Sequence, residues 1–219
     1  MTYLVWDWNG TLLDDTGAAL GALNTMLERR GKGPVSLDFY RDRFAFPVRN
    51  FYTECGFELD GEDWDALARE YHDTYAAQPR ALMDGAFSAV GRAKPLVAGQ
   101  SLLSALRQDK LERDVALFGA SGLFEFVRGT DNLDGASKTK AAARLVDDAR
   151  AAHRGEALDI VFIGDAIHDK EVADALGAWC VLFGGGSHAA SRLRPLAPTG
   201  ETLDDVLKLA LGREFGDEQ

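Results

Sequence analysis

The stretch YLVWDWNGTLLDD, Tyr3 to Asp15, decides how the rest of the chain is read. Tyr3–Trp6 is a short apolar run of strand type, and it stops at an acid, Asp7. A Gly-Thr pair follows at Gly10 and Thr11. The pattern puts a carboxylate on the turn that leaves a buried strand, where it can meet a ligand.

Further apolar runs extend this beginning into a sheet. Ser101–Leu103, Ile160–Ile163 and Trp179–Phe183 read as buried strands, and Glu125–Arg128 as a weaker one. Amphipathic helices separate them. Leu111, Val115 and Phe118 fall at i, i+4, i+7, and Ala141, Ala142, Leu145, Val146 and Ala149 mark one face of a helix with Ser137 as its N-cap. Leu203, Val206, Leu207 and Ala210 mark a terminal helix. Strands alternating with such helices predict an α/β fold, a Rossmann-like doubly wound parallel sheet.

Residues 15–83 break the alternation. Leu20, Leu23 and Leu27 form a helical stripe ending at Gly31. Phe39–Phe44 and Val48–Cys55 read as two short helices, and Trp64, Leu67, Ala68, Tyr71 and Tyr75 share one face of another. The expectation is an inserted helical cap domain at 15–83, on a core made of 1–14 and 84–219. The aromatic residues gathered in the insertion read mainly as its own core.

Ligands of open α/β sheets bind beyond the carboxyl ends of the strands. The first strand is expected to end at Asp7 and the second at Ser104. DIVFIG leads to Asp165, with Asp169 one helical turn later, and Lys138 opens the helix after the weaker strand. Three carboxylates, a hydroxyl and an ammonium would then converge on one edge. Carboxylates at such range repel, and a divalent cation with oxygen ligands, Mg²⁺, resolves the repulsion. The set would hold a phosphate.

These motifs resemble those of the haloacid dehalogenase-like hydrolases, most of them magnesium-dependent phosphatases whose first motif reads Asp-x-Asp-Gly-Thr. The resemblance spans almost the whole chain and implies an aspartyl-phosphate on Asp7. It makes Ser104 in SLLSAL the phosphoryl-contacting hydroxyl and Lys138 in GASKTK the motif lysine. Lys140 competes with Lys138, but counting from Lys138 turns Ala141, Ala142 and Leu145 inward. The resemblance gives the metal to Asp7, Asp165, Asp169 and the backbone carbonyl of Asn9. Thr11, Ala105 and Arg49 are the expected substrate-binding positions, Arg49 as a grip on a remote anion. The insertion resembles the cap of the phosphoglycolate phosphatase-like subgroup.

The departure is Asn9. The family's general acid and base stands at this position, so the carbonyl role survives and the proton role does not. The implied function is a phosphomonoester hydrolase acting on a small phosphorylated metabolite. The alternative is a non-enzymatic phospho-ligand binder or regulatory pseudo-phosphatase. A hydrolytic dehalogenase is disfavoured, because that branch uses no metal and typically carries Tyr at position 9. His168 reads as an exposed position at a helix start, and Gly184–His188 as a connecting loop more than a wall of the site.

Bulk properties set the bounds. The chain has 219 residues, 46% hydrophobic and 27% charged, which suits one domain plus a modest insertion. A net charge of −11 argues against nucleic acid or an anionic membrane as partner. Cys55 and Cys180 make no disulfide framework and fit a reducing compartment. A strand begins the sequence with no basic stretch before an apolar segment, and no apolar run approaches 18 residues. A cytoplasmic location is expected. Oligomeric state is not legible.

Overall fold

The computed structural model describes residues 1–61, 63–131 and 138–212. Its first strand, β1 (Thr2–Asp7), is buried along its whole length. Leu4 and Trp6 enter one hydrophobic cluster, and Tyr3 and Val5 enter another. Alternation along the strand feeds the two sides of the sheet, so a strand covered on both faces is apolar throughout.

After β1 the chain forms β2 (Leu13–Asp14) and then α1 (Thr16–Arg29), α2 (Leu37–Arg43), α3 (Val48–Glu54) and α4 (Trp64–Ala76). It returns as β3 (Ala81–Leu82), which pairs antiparallel with β2. α5 (Ala86–Ala93), β4 (Gly99–Arg107), α6 (Gln108–Leu117), β5 (Val127–Thr130), α7 (Lys138–Ala152) and β6 (Asp159–Gly164) follow. α8 (Ile167–Ala175), β7 (Trp179–Phe183), α9 (Ala190–Leu193), β8 (Thr199–Gly200) and α10 (Leu203–Leu211) complete the described chain. Six strands form one sheet in the order β5-β4-β1-β6-β7-β8, with every neighbouring pair parallel. This is the expected doubly wound α/β architecture.

Local chemistry explains where the helices begin. Ser36 accepts from the Phe39 N–H at the start of α2, and Asp63 accepts from the N–H groups of Asp65 and Ala66 at the start of α4. Thr202 and Asp205 cap α10 reciprocally. Each such cap contributes ~1 kcal/mol by satisfying an N–H that has no partner inside the helix. Helices α1 to α4 bury Leu23, Met26, Leu27, Tyr40, Phe51 and Leu67 in a third cluster, separate from the two that flank the sheet.

Several boundaries differ from the sequence expectation. The run Ser101–Leu103 is the middle of a longer strand, so β4 continues past Ser104 to Arg107. Its pairing with β1 nevertheless stops at Leu103, and its register with β5 shifts between Leu103 and Arg107. Ser104 is therefore the first residue beyond the β1 ladder. The weaker strand lies two residues later than its apolar run, at Val127–Thr130. Phe118 is the C-cap of α6 and not a turn of the helix. The Ser137 cap lies outside the described residues. β2, β3 and β8 are two residues each, too short for periodicity to mark. No helix among the described residues is long and apolar enough to cross a membrane.

Candidate active site

Register brings the acids together. Trp6 pairs with Ile163 on β6, and Asp7 pairs with Leu103 on β4. Asp7 ends β1, Ser104 follows the last β4 residue paired with β1, and Asp165 follows the end of β6, so the three stand side by side at the carboxyl edge. Two glycines allow the close approach. Gly10 has φ +76°, and a Cβ there would run into the Asp165 carboxylate; a Cβ at Gly164 would run into that of Asp169.

One oxygen of each of Asp7, Asp165 and Asp169 lies within 4.8 Å of the others, and all three residues are buried. The Lys138 ammonium, also buried, donates to Asp7 Oδ1 at 2.6 Å and to Asp169 Oδ1 at 2.5 Å. Asp165 accepts from the Thr11 hydroxyl at 2.9 Å and from both the N–H and the hydroxyl of Ser187, at 2.6 and 2.5 Å. Asp169 accepts from the Ala166 N–H at 3.0 Å.

Burial pushes the Asp7 carboxyl well above the ordinary range; Lys138 opposes the rise, and Asp169 and Asp165 add to it. Asp165 is pushed up to about 6, by burial first and the Asp169 charge second, against its hydrogen bonds from Ser187 and Thr11. Burial also works to raise Asp169, but Lys138 and the Ala166 N–H together hold it below the usual range. Burial disfavours the charge on Lys138, and Asp169 and Asp7 outweigh it and keep the ammonium. Three carboxylates thus face one ammonium. The surplus negative charge and the all-oxygen donor set fit a hard divalent cation.

Asn9 stands beside this cluster in a network of its own. Its amide nitrogen donates to Asp15 Oδ2 at 2.7 Å and to the Tyr75 hydroxyl at 3.0 Å, and its oxygen accepts from the Ser104 hydroxyl at 3.0 Å. Asp15 also accepts from the Gly10 N–H at 2.7 Å and from the Tyr75 hydroxyl. A carboxylate surrounded by donors fixes which way the amide points, since only the NH₂ side can serve it. Burial raises the Asp15 carboxyl, against the hydrogen bonds from Tyr75, Asn9 and Gly10. Sequence reading passed over Asp15 and Tyr75. The paired acids Asp14-Asp15 before a helical stripe were the available signal, but spacing alone does not turn the second one back toward Asn9.

A cavity of about 180 Å³ opens over the acids, between the sheet edge and helices α1 to α4. Asp7, Asn9, Ala105, Lys138, Asp165 and Asp169 line it. Thr11 and Ser104 do not; both are fully buried, and their hydroxyls are engaged by Asp165 and Asn9. Arg49 is not a lining residue either, and its guanidinium lies over the Trp64 ring, 4.8 Å from the centroid. Two expectations change. His168 is a lining residue whose side chain is 17% exposed, with its ring 4.9 Å from that of Phe46. The Gly184–His188 loop is a wall of the site, because Ser187 lines the cavity and holds Asp165.

Comparison with known proteins agrees with this geometry. The model of the haloacid dehalogenase-like hydrolases matches residues 4–183, so the chain belongs to that family. Within the family it is of the phosphoglycolate phosphatase-like subgroup. A phosphoglycolate phosphatase of Caulobacter vibrioides is 30% identical over 80% of this chain and 73% of its own length. One of Rhodobacter capsulatus is 26% identical over 82% and 83%. Among solved structures, protein tyrosine kinase A of Mycobacterium tuberculosis superposes with a TM-score of 0.76 at 23% identity, over 96% of this chain and 97% of that one. That last likeness is one of fold alone.

Proposed function

We propose that the chain is a Mg²⁺-dependent phosphomonoester hydrolase of the cytoplasm, acting on a small phosphorylated metabolite, with Asp7 receiving the phosphoryl group. The observation that carries this reading is the gathering of Asp7, Asp165, Asp169 and Lys138 at the open edge of the sheet. The phosphatase name of the curated relatives supports it. In this reading residues 1–14 and 84–219 are the catalytic core and 15–83 the cap that closes over it.

Asp7, Asp165, Asp169 and the main-chain carbonyl of Asn9 would hold the cation, which when bound supplies positive charge to the phosphoryl oxygens. The chain's own residues do the rest. An Asp7 oxygen forms a bond to phosphorus as the ester P–O bond breaks. Lys138, fixed by Asp7 and Asp169, favours the ionised form of the nucleophile against its burial and adds charge beside the transferring group. Ser104 orients the Asn9 amide. Water then adds to phosphorus, and phosphate leaves with Asp7 regenerated.

Asn9 favours a second reading, a binder that holds a phosphorylated ligand without turning it over. An amide tied to Asp15 and Tyr75 carries no proton to give. Phosphate release from a panel of phosphorylated metabolites, measured with Mg²⁺ and with EDTA, separates the two. Release that depends on Mg²⁺ supports the hydrolase. Binding of the same esters without release supports the binder.

A further inference from the structure

The cavity above the acids has a marked chemical asymmetry. Its floor is charged, as described above. Its walls are aromatic: Phe44, Phe46, Phe51, Tyr52, Trp64 and Tyr71 all line it. Among the described lining residues Lys138 is the sole lysine or arginine, and it is engaged with Asp7 and Asp169. Arg49 is stacked on Trp64 and Arg80 on Tyr75, and neither arginine lines the space.

We propose that this cavity takes an aryl phosphate monoester, with the phosphate on the Asp7–Lys138 floor and the uncharged aromatic ring among the cap's aromatic walls. The proposal rests on the phosphatase reading and names its substrate class. The space is not too small for a ring: an apolar cavity of ~150 Å³ takes up benzene, and this one, floor included, is about 180 Å³. Aromatic walls favour a ring by offset and edge-on contacts. An ester whose alcohol carries a carboxylate, as in phosphoglycolate, would bury that charge against aromatic side chains with no lysine or arginine beyond Lys138 lining the space to meet it.

The chemistry at position 9 points the same way. A phenolic oxygen has a pKa of ~10, far below the ~15.7 of water, so it departs as an anion without a proton from the enzyme. In the first step the Asp7 oxygen bonds to phosphorus and the P–O(aryl) bond breaks, the electron pair leaving with the aryloxide. Solvent protonates the aryloxide. In the second step water bonds to phosphorus, the acyl-phosphate P–O bond breaks, and one water has been consumed for one phenol and one phosphate. Position 9 has no proton to supply in this step, and the Asn9 amide stays with Asp15 and Tyr75.

The test uses the Mg²⁺-loaded protein and two non-hydrolysable probes, benzylphosphonate and phosphonoacetate, titrated by calorimetry. Benzylphosphonate should bind at least ~10-fold tighter, as expected for one ring packed among aromatic partners. Phe46→Ala should lower that ratio ~10-fold, and Val48→Arg, which puts a cation on a lining position, should invert it. Equal or tighter binding of phosphonoacetate by the unmodified protein, or no binding of either probe, overturns the proposal. Phosphate release from phenyl phosphate is read in parallel. If benzylphosphonate binds selectively and phenyl phosphate is not hydrolysed, the phosphatase reading fails while the ligand class stands. Parallel rates on phenyl phosphate and a phosphotyrosyl peptide distinguish a small aryl ester from a protein side chain as its source. Faster turnover of either than of 2-phosphoglycolate supports the class, and preference for 2-phosphoglycolate over both overturns it.

Discussion

Asn9, Asp15 and Tyr75 form a closed set of hydrogen bonds, and any acid introduced at position 9 would enter it. Asn9→Asp alone places a second carboxylate about where the amide now meets Asp15, 2.7 Å away. Two carboxylates so close share a proton, so the single change should gain little. Exchanging the pair, Asn9→Asp with Asp15→Asn, keeps every donor matched to an acceptor. It should raise turnover of alkyl phosphates at least ~10-fold, at the low end of what a positioned acid–base contributes, with a smaller gain on aryl phosphates. Rates on glycerol 2-phosphate and phenyl phosphate for the single and exchanged variants check this. A second residue-scale expectation concerns His188. It is buried, and its Nδ1 accepts from the Ile167 N–H at the start of α8. Burial, aided by nearby Arg192, lowers its pKa to about 4. The unfolded chain, with an imidazole near ~6.5, binds the proton first as pH falls. Stability from this group is full above ~6.5 and is lost as pH falls toward about 4, by on the order of 2–4 kcal/mol. Urea unfolding at pH 7 and 4.5 should show a smaller loss in His188→Asn than in the unmodified protein.

At the scale of elements, α2 is fastened to the loop that follows β7. Arg41 donates from Nε to the Gly186 carbonyl at 3.0 Å and from Nη2 to that of Gly185 at 3.1 Å. Arg192 of α9 donates in return to the carbonyls of Arg41 and Phe44, at 2.8 and 3.1 Å. The same loop carries Ser187, which holds Asp165, so the helical insertion and the acid cluster are mechanically joined. Charged donors to carbonyls contribute ~1.5–3 kcal/mol each. Arg41→Ala should destabilise the protein by about 1–3 kcal/mol and speed hydrogen exchange at residues 184–189 more than at β1. Exchange that rises equally in β1 would mean that the arginine supports the whole fold and not this junction.

For the whole molecule, the sheet was legible because parallel strands covered on both faces are apolar without interruption, as Tyr3–Trp6 and Ile160–Ile163 are. The positions of Asp7, Asp165 and Asp169 at one edge followed from that, since acids directly after such strands have little freedom of place. What depended on contacts between distant segments was not legible. Tyr75 reaches Asp15 across 60 residues, Ser187 reaches Asp165 across a helix and a strand, and the aromatic residues of the insertion serve both as its core and as cavity wall. No local period records such meetings. The gathered acids and Lys138 remain the centre of the account, and phosphate release from phenyl phosphate is the most direct measurement on them. The unmodified protein should release phosphate in Mg²⁺ and stop in EDTA, and Asp7→Asn should release none in Mg²⁺; undiminished release in EDTA, or by Asp7→Asn, would contradict it.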